Sequence, residues 1–125
     1  MNINIKTIPQ IEQRYATAGD YWWDKDGSLQ IRVSELGNED MEYLVAIHEL
    51  TESYICEKRG IKETDIMAFD IAHSDSDDPG TLLDAPYYKE HLFASAIEML
   101  IAEQLNINWQ EYDNEILKLF ENKEE

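Results

Sequence analysis

The chain has very little cysteine and no long apolar segment. Cys56 is the only cysteine among 125 residues, which excludes a disulfide framework and a zinc cluster built from cysteines. Because it falls near the end of a helical pattern, we expect it to be a buried structural thiol. No run of 18 apolar residues occurs and the N-terminus has no apolar signal segment, so we expect a cytoplasmic protein without membrane association.

Positive charge is also scarce. Only 10 Lys and Arg stand against 27 Asp and Glu, and the net charge is −17. Direct binding of nucleic acid through its phosphates requires basic residues, and so does adsorption to an anionic membrane, so neither is expected. The acidic charge is compatible with binding a cation or a basic protein partner.

The residues that are present predict one α+β domain covering 1–125. Apolar residues make up 43% of a chain long enough for one hydrophobic core. A sheet region, 1–36, holds a short alternating segment at 3–8 and a β-hairpin at about 20–34 around the turn D26-G27. We expect these strands to form a small antiparallel sheet, and residues 10–18 to extend the first strand or form one helical turn.

A helical region, 39–121, follows the sheet region. The apolar residues change there to a helical period, and the polar segment S74-D-S-D-D-P-G-T81 interrupts it as a loop. The pattern predicts four helices, at about 39–58, 63–73, 86–105 and 108–121.

The segment H48-E-L-T-E52 differs by one residue from the zinc-protease pattern H-E-x-x-H. Glu52 occupies the place of the second histidine, so it and His48 lie one turn apart on an otherwise apolar helix face. Glu49 lies where that face meets the solvated arc of the helix. In a hydrolase of this kind Glu49 would be the catalytic general base.

The helix at 86–105 carries a second face of the same kind. His91 and Glu98 lie two turns apart on it, next to small residues that let another helix approach closely. An unpaired ionised carboxylate on such a face is costly, so Glu52 and Glu98 each need a partner.

A divalent metal ion would satisfy both faces at once. We predict His48, Glu52 and His91 as ligands, with Glu98 as a fourth ligand or as a residue that orients a ligating histidine. Two histidines with one or two carboxylates suit zinc in tetrahedral geometry. The same set with an open side suits iron or manganese.

Simpler interpretations stand beside the metal site. Arg59 projects near the His48 face and could form a buried ion pair with Glu52 or Glu98, while each histidine alone could be an ordinary core residue. The carboxylates of 75–78 are expected in a solvated loop rather than a calcium site, because the spacing of an EF-hand is missing. Asp70 is a possible extra ligand or hydrogen-bond acceptor.

Several motifs resemble a family of small uncharacterised phage and prophage proteins with a H-E-L-x-E helix and a later A-P-Y-x-x-E-H segment. The resemblance covers about residues 20–113 and brings no established activity with it; the sheet followed by a H-E helix also resembles a minimal zincin. The motifs in this chain are D20-Y-W-W, L29-Q-I-R-V-S34, L44-V-A-I-H-E-L-T-E52, A68-F-D70, D78-P-G80 and A85-P-Y-Y-K-E-H91. The resemblance implies functional polar positions at His48, Glu49, Glu52, Asp70, Glu90, His91 and Glu98.

Two hypotheses of function follow from the sequence. The first is a metal-binding protein that acts as a zincin-like hydrolase on a substrate the sequence does not specify. The second is an acidic phage-type interaction or inhibitor protein, which would block a basic protein by mimicking the charge of DNA and hold at most a structural metal.

Overall fold

The structure is a computed structural model, and it describes residues 1–121. Three strands, β1 (Ile3–Ile8), β2 (Gly19–Trp23) and β3 (Leu29–Ser34), form one sheet in the order β1-β3-β2. Leu29, Ile31 and Val33 alternate along β3 and are at most 1% exposed, which explains why this strand takes the central position.

The sheet is mixed, and the prediction of an antiparallel sheet is wrong for β1. The hairpin is antiparallel, with Tyr21 opposite Ile31, but β1 pairs with β3 in parallel, with Ile5 opposite Ile31. The segment between β1 and β2, which includes a short 3₁₀ helix at Gln10–Glu12, carries the chain to the far side of β3. The strands β1 and β3 therefore run in the same direction.

Four helices follow the sheet, so the predicted α+β fold class is confirmed. They are α1 (Glu39–Lys58), α2 (Glu63–Ala72), α3 (Tyr88–Gln104) and α4 (Trp109–Lys118). Asn38 caps α1 by accepting a hydrogen bond from the Met41 amide at 3.1 Å, and Asn108 caps α4 in the same way. Gly60 follows α1 with a positive φ of 73°, which suits a glycine after a helix end.

The hydrophobic core joins the sheet to the helices. Its buried residues include Ile31 of the sheet, Leu44 of α1, Ile66 of α2 and Tyr112 of α4. Cys56 is fully buried, and burial raises the pKa of its thiol to about 12, so the predicted structural thiol is confirmed.

Helices α1 and α3 pack against each other beside the sheet. The small residues Ala94 and Ala102 of α3 are buried, and they allow the two histidine-bearing faces to meet. No helix within residues 1–121 has both the length and the hydrophobicity needed to cross a bilayer.

Candidate metal centre

Three side chains from α1 and α3 bring one ligand atom each to a common point. His48 Nε2 lies 2.9 Å from Glu52 Oε2 and 3.1 Å from His91 Nδ1, and the third side, from His91 Nδ1 to Glu52 Oε2, is 2.9 Å. We call these three atoms the ligand triangle. All three residues are buried, and the group could hold a metal ion.

Each histidine has a carboxylate at its other ring nitrogen. His48 Nδ1 lies 2.8 Å from Glu98 Oε1, and His91 Nε2 lies 2.9 Å from Asp78 Oδ1. The second contact is close but does not have the alignment of a hydrogen bond. Carboxylates at these positions favour the tautomers with the protons on His48 Nδ1 and His91 Nε2, which leaves both remaining lone pairs facing the triangle.

The pKa values show how negative the surroundings of the triangle are. Burial alone would lower the pKa of His48, but hydrogen bonds to Glu52 and Glu98 outweigh it and hold this pKa well above its usual value. For His91, burial likewise opposes the contacts with Asp78 and Glu52, which raise its pKa to about 9. Burial would raise the pKa of Glu52, yet its bonds to both histidines lower it to about 2. A site that attracts protons so strongly also attracts a metal cation, which would displace them.

Glu98 serves the site through His48. One of its carboxylate oxygens accepts from His48 as described, and the other accepts a hydrogen bond from the Tyr112 hydroxyl of α4. Both oxygens are therefore engaged outside the triangle. Of the two predicted roles for Glu98, this geometry matches the residue that orients a ligating histidine.

Glu49 lies beside the triangle with a free carboxylate. It is half-buried and faces the same cavity as His48 and Glu52, and no hydrogen bond to it occurs within the described residues. Burial, and then the negative charge of Glu52, raise its pKa well above the usual value. Gly19 makes room for this side chain, since a Cβ atom there would lie 2.8 Å from Glu49 Cγ.

Arg59 does not reach the carboxylates of the centre. Its Nη1 atom donates to Glu90 Oε2 at 2.6 Å, so the alternative of a buried ion pair between Arg59 and Glu52 or Glu98 is wrong. Asp70 lies outside the triangle too, where it accepts hydrogen bonds from the hydroxyls of Tyr15 and Tyr87.

The loop before α3 contributes more than the sequence indicated. Asp78 is exposed at 52% of its side chain, in keeping with a solvated loop, but its carboxylate also faces His91. Gly80 is buried against the His91 ring. The motif D78-P-G80 was the only feature of the sequence that pointed to the contacts of Asp78 and Gly80 with His91.

A large effect is expected from Gly80→Ala. The added Cβ would lie 2.4 Å from His91 Cγ and 2.7 Å from Nδ1, so the imidazole must move although every ligand is still present. We expect metal affinity to fall about 10- to 100-fold, the range typical of disturbed support around a ligand. Metal titration measures this, with Leu83→Ala, at an 83% exposed position of the same loop, as the control. Unchanged affinity in a folded Gly80→Ala variant would contradict the assigned position of His91.

One side of the centre opens into a cavity of about 290 Å³. The walls come from β2, from all four helices and from the loop that contains Asp78. A structural metal site is closed by protein ligands, whereas a catalytic one keeps an open coordination position. The ligand triangle offers three protein atoms and borders this cavity.

Fold and site together define an α+β protein with a buried His-Glu-His group able to hold a metal ion beside a cavity. Residues 39–116 match the model of the family described as "Protein of unknown function (DUF2396)", and the chain belongs to this family. The predicted resemblance to an uncharacterised family is confirmed, while the family description mentions neither phages nor zincins. The comparisons with curated proteins and with solved structures gave no match.

Proposed function

We propose that this protein is a metal-dependent hydrolase of zincin-like design, with His48, Glu52 and His91 as the ligands of one divalent ion. The observation that carries the proposal is the ligand triangle, whose sides of 2.9–3.1 Å bring three electron-pair donors together beside a cavity. Carboxylates behind both histidines support it, because ligating histidines usually have such a partner.

The ligand set supports zinc first. Two histidines and one glutamate are the protein ligands of several catalytic zinc sites. Ligand atoms about 2.1 Å from an ion are about 3.4 Å apart in a tetrahedron and about 3.0 Å apart in an octahedron. The observed sides match the octahedral value better, so iron and manganese belong in the same test.

The bound ion would polarise the substrate carbonyl and lower the pKa of water at its open position. Glu49 would take one proton from the attacking water as the water oxygen forms its bond to the carbonyl carbon. The same carboxyl group would pass the proton to the leaving amine or alcohol as the bond between that group and the carbonyl carbon breaks. Burial and the charge of Glu52 raise the pKa of Glu49, so its carboxylate is a stronger base than that of an exposed glutamate.

Removal and return of the metal test the proposal. Protein purified without a histidine tag is stripped with a chelator, reloaded with zinc, manganese or ferrous iron, and assayed on a panel of small esters, anilides and peptides. We expect one ion per chain and hydrolysis that rises with the bound ion. Equal activity in stripped and reloaded protein, or an ion that binds without any hydrolysis, would contradict the hydrolase; the second result would leave a structural metal.

The alternative of an acidic interaction protein is supported by the charge of −17 alone. It would require tight binding to a basic protein that weakens steeply with salt. Recovery of such a partner, together with an absence of metal from the pure protein, would favour this alternative over the hydrolase.

A further inference from the structure

The cavity beside the ligand triangle has many more acidic than basic groups in its walls, and within residues 1–121 His48 and His91 of the triangle are its only lining side chains that can carry positive charge. Nine of its lining residues are Asp or Glu, and none of those within residues 1–121 is Lys or Arg. A negative cavity with walls of low dielectric concentrates cations and repels anions. The charge that remains for a ligand depends on how many of these carboxylates already have a cationic or hydrogen-bonding partner.

Most of these carboxylates are already engaged. Asp20 binds Arg14 at 2.6 Å and Glu63 binds the same guanidinium at 3.3 Å. Four more carboxylates contact the histidines or tyrosines described above: Glu52, Asp70, Asp78 and Glu98. Glu49, Asp77 and Asp113 remain without a hydrogen bond or ion pair in the described part of the chain. Glu49 lies beside the triangle, and the other two are exposed at the edge of the cavity.

Aromatic rings form a further part of the walls. Trp109 and Tyr112 of α4 pack edge to face, with ring centroids 5.2 Å apart, and both line the cavity. Tyr15, Tyr21, Tyr87 and Phe120 line it as well. Aromatic faces next to carboxylates are the typical environment for an organic ammonium group.

From these walls we infer that the cavity selects substrates with a fixed positive charge, such as an ammonium or guanidinium group, near the bond that is cleaved. The inference rests on the proposed function for the cleavage and on the cavity walls for the charge. Asp77 and Asp113 attract the cation at the edge of the cavity and the aromatic rings hold it inside. A metal ion held by the ligand triangle would then act on the uncharged carbonyl.

A pair of probes with equal shape isolates the charge. Choline carries a quaternary ammonium that cannot bind a metal, and 3,3-dimethylbutan-1-ol is its neutral isostere. Nuclear magnetic resonance follows the Trp109 indole during titration, with zinc-loaded and with chelator-treated protein. We expect choline to bind at least about tenfold more tightly than the alcohol and to shift the Trp109 signal. Since the readout is binding, it remains informative if no hydrolysis is ever found.

Two matched variants show whether local or overall charge is responsible. Asp113→Asn removes an unpaired carboxylate at the cavity and should weaken choline binding about two- to tenfold. Asp75→Asn removes the same charge from an exposed position that does not line the cavity, and should leave binding unchanged. Equal affinity for the two probes, equal weakening by the two variants, or shifts remote from Trp109 would each overturn the inference.

Discussion

His48→Ala should leave the protein without stoichiometric metal. His48 supplies one atom of the ligand triangle, and its ring lies between Glu52, His91 and Glu98. The variant loses a ligand and also separates Glu98 from the centre. We expect affinity for zinc to fall by more than about 100-fold, beyond the loss caused by disturbing an outer partner alone. Competition with a chelating dye measures the affinity, and elemental analysis counts the ion.

The third histidine of the chain provides the matched control. His73 is half-buried, stacks on Phe69 with ring centroids 3.9 Å apart, and does not line the cavity. His73→Ala should therefore keep the affinity of the wild type. If the two variants bind metal equally well, or if wild-type protein holds no ion after loading, the metal centre is wrong.

Glu49→Gln should separate metal binding from catalysis. The substitution keeps the shape of the side chain but removes the group that accepts the proton from water. For a substrate cleaved by the wild type, we expect kcat to fall about 10²- to 10⁴-fold, the usual contribution of a general base. The bound metal should remain at one ion per chain, because Glu49 contributes no atom to the ligand triangle.

Glu57→Gln is the control for this variant, because Glu57 is on the same helix and exposed. It should retain both metal and activity. Loss of metal in Glu49→Gln would identify Glu49 as a ligand and contradict its separate role. Full activity in Glu49→Gln would require another base.

Local patterns were sufficient to predict the helices but not the direction of β1. The range 39–58 agrees with α1 at both ends, because Asn38 caps its start and Gly60 follows its end. The ends of α3 and α4 differ from prediction by one to three residues. Strand direction depends instead on which strand takes the centre of the sheet. That is decided by contacts distant in sequence, so short-range alternation in β1 could not reveal it.

The sequence predicted those pairs of site residues that lie on one face of a single helix. Projecting α1 and α3 separately placed His48 with Glu52 and His91 with Glu98, and the structure brings these faces together. Partners from other elements were missed. Tyr112 reaches Glu98 from α4, and no period within one helix could indicate this.

Residues 78–80 were missed for a related reason. A segment rich in Asp, Pro and Gly favours a solvated turn whatever it packs against. Its contact with His91 depends on how the loop is placed over α3, and the same composition would fit a loop with no role in the site.

The most direct test of the account is a crystal of the zinc-loaded protein measured at the zinc absorption edge. We predict one anomalous peak about 2.1 Å from His48 Nε2, Glu52 Oε2 and His91 Nδ1. The open coordination position of the ion should face the cavity, and Glu98 should be hydrogen-bonded to His48 rather than coordinated to the ion. A peak only among surface carboxylates, or no peak while His48 and His91 keep their contacts with Glu52, would contradict the metal centre.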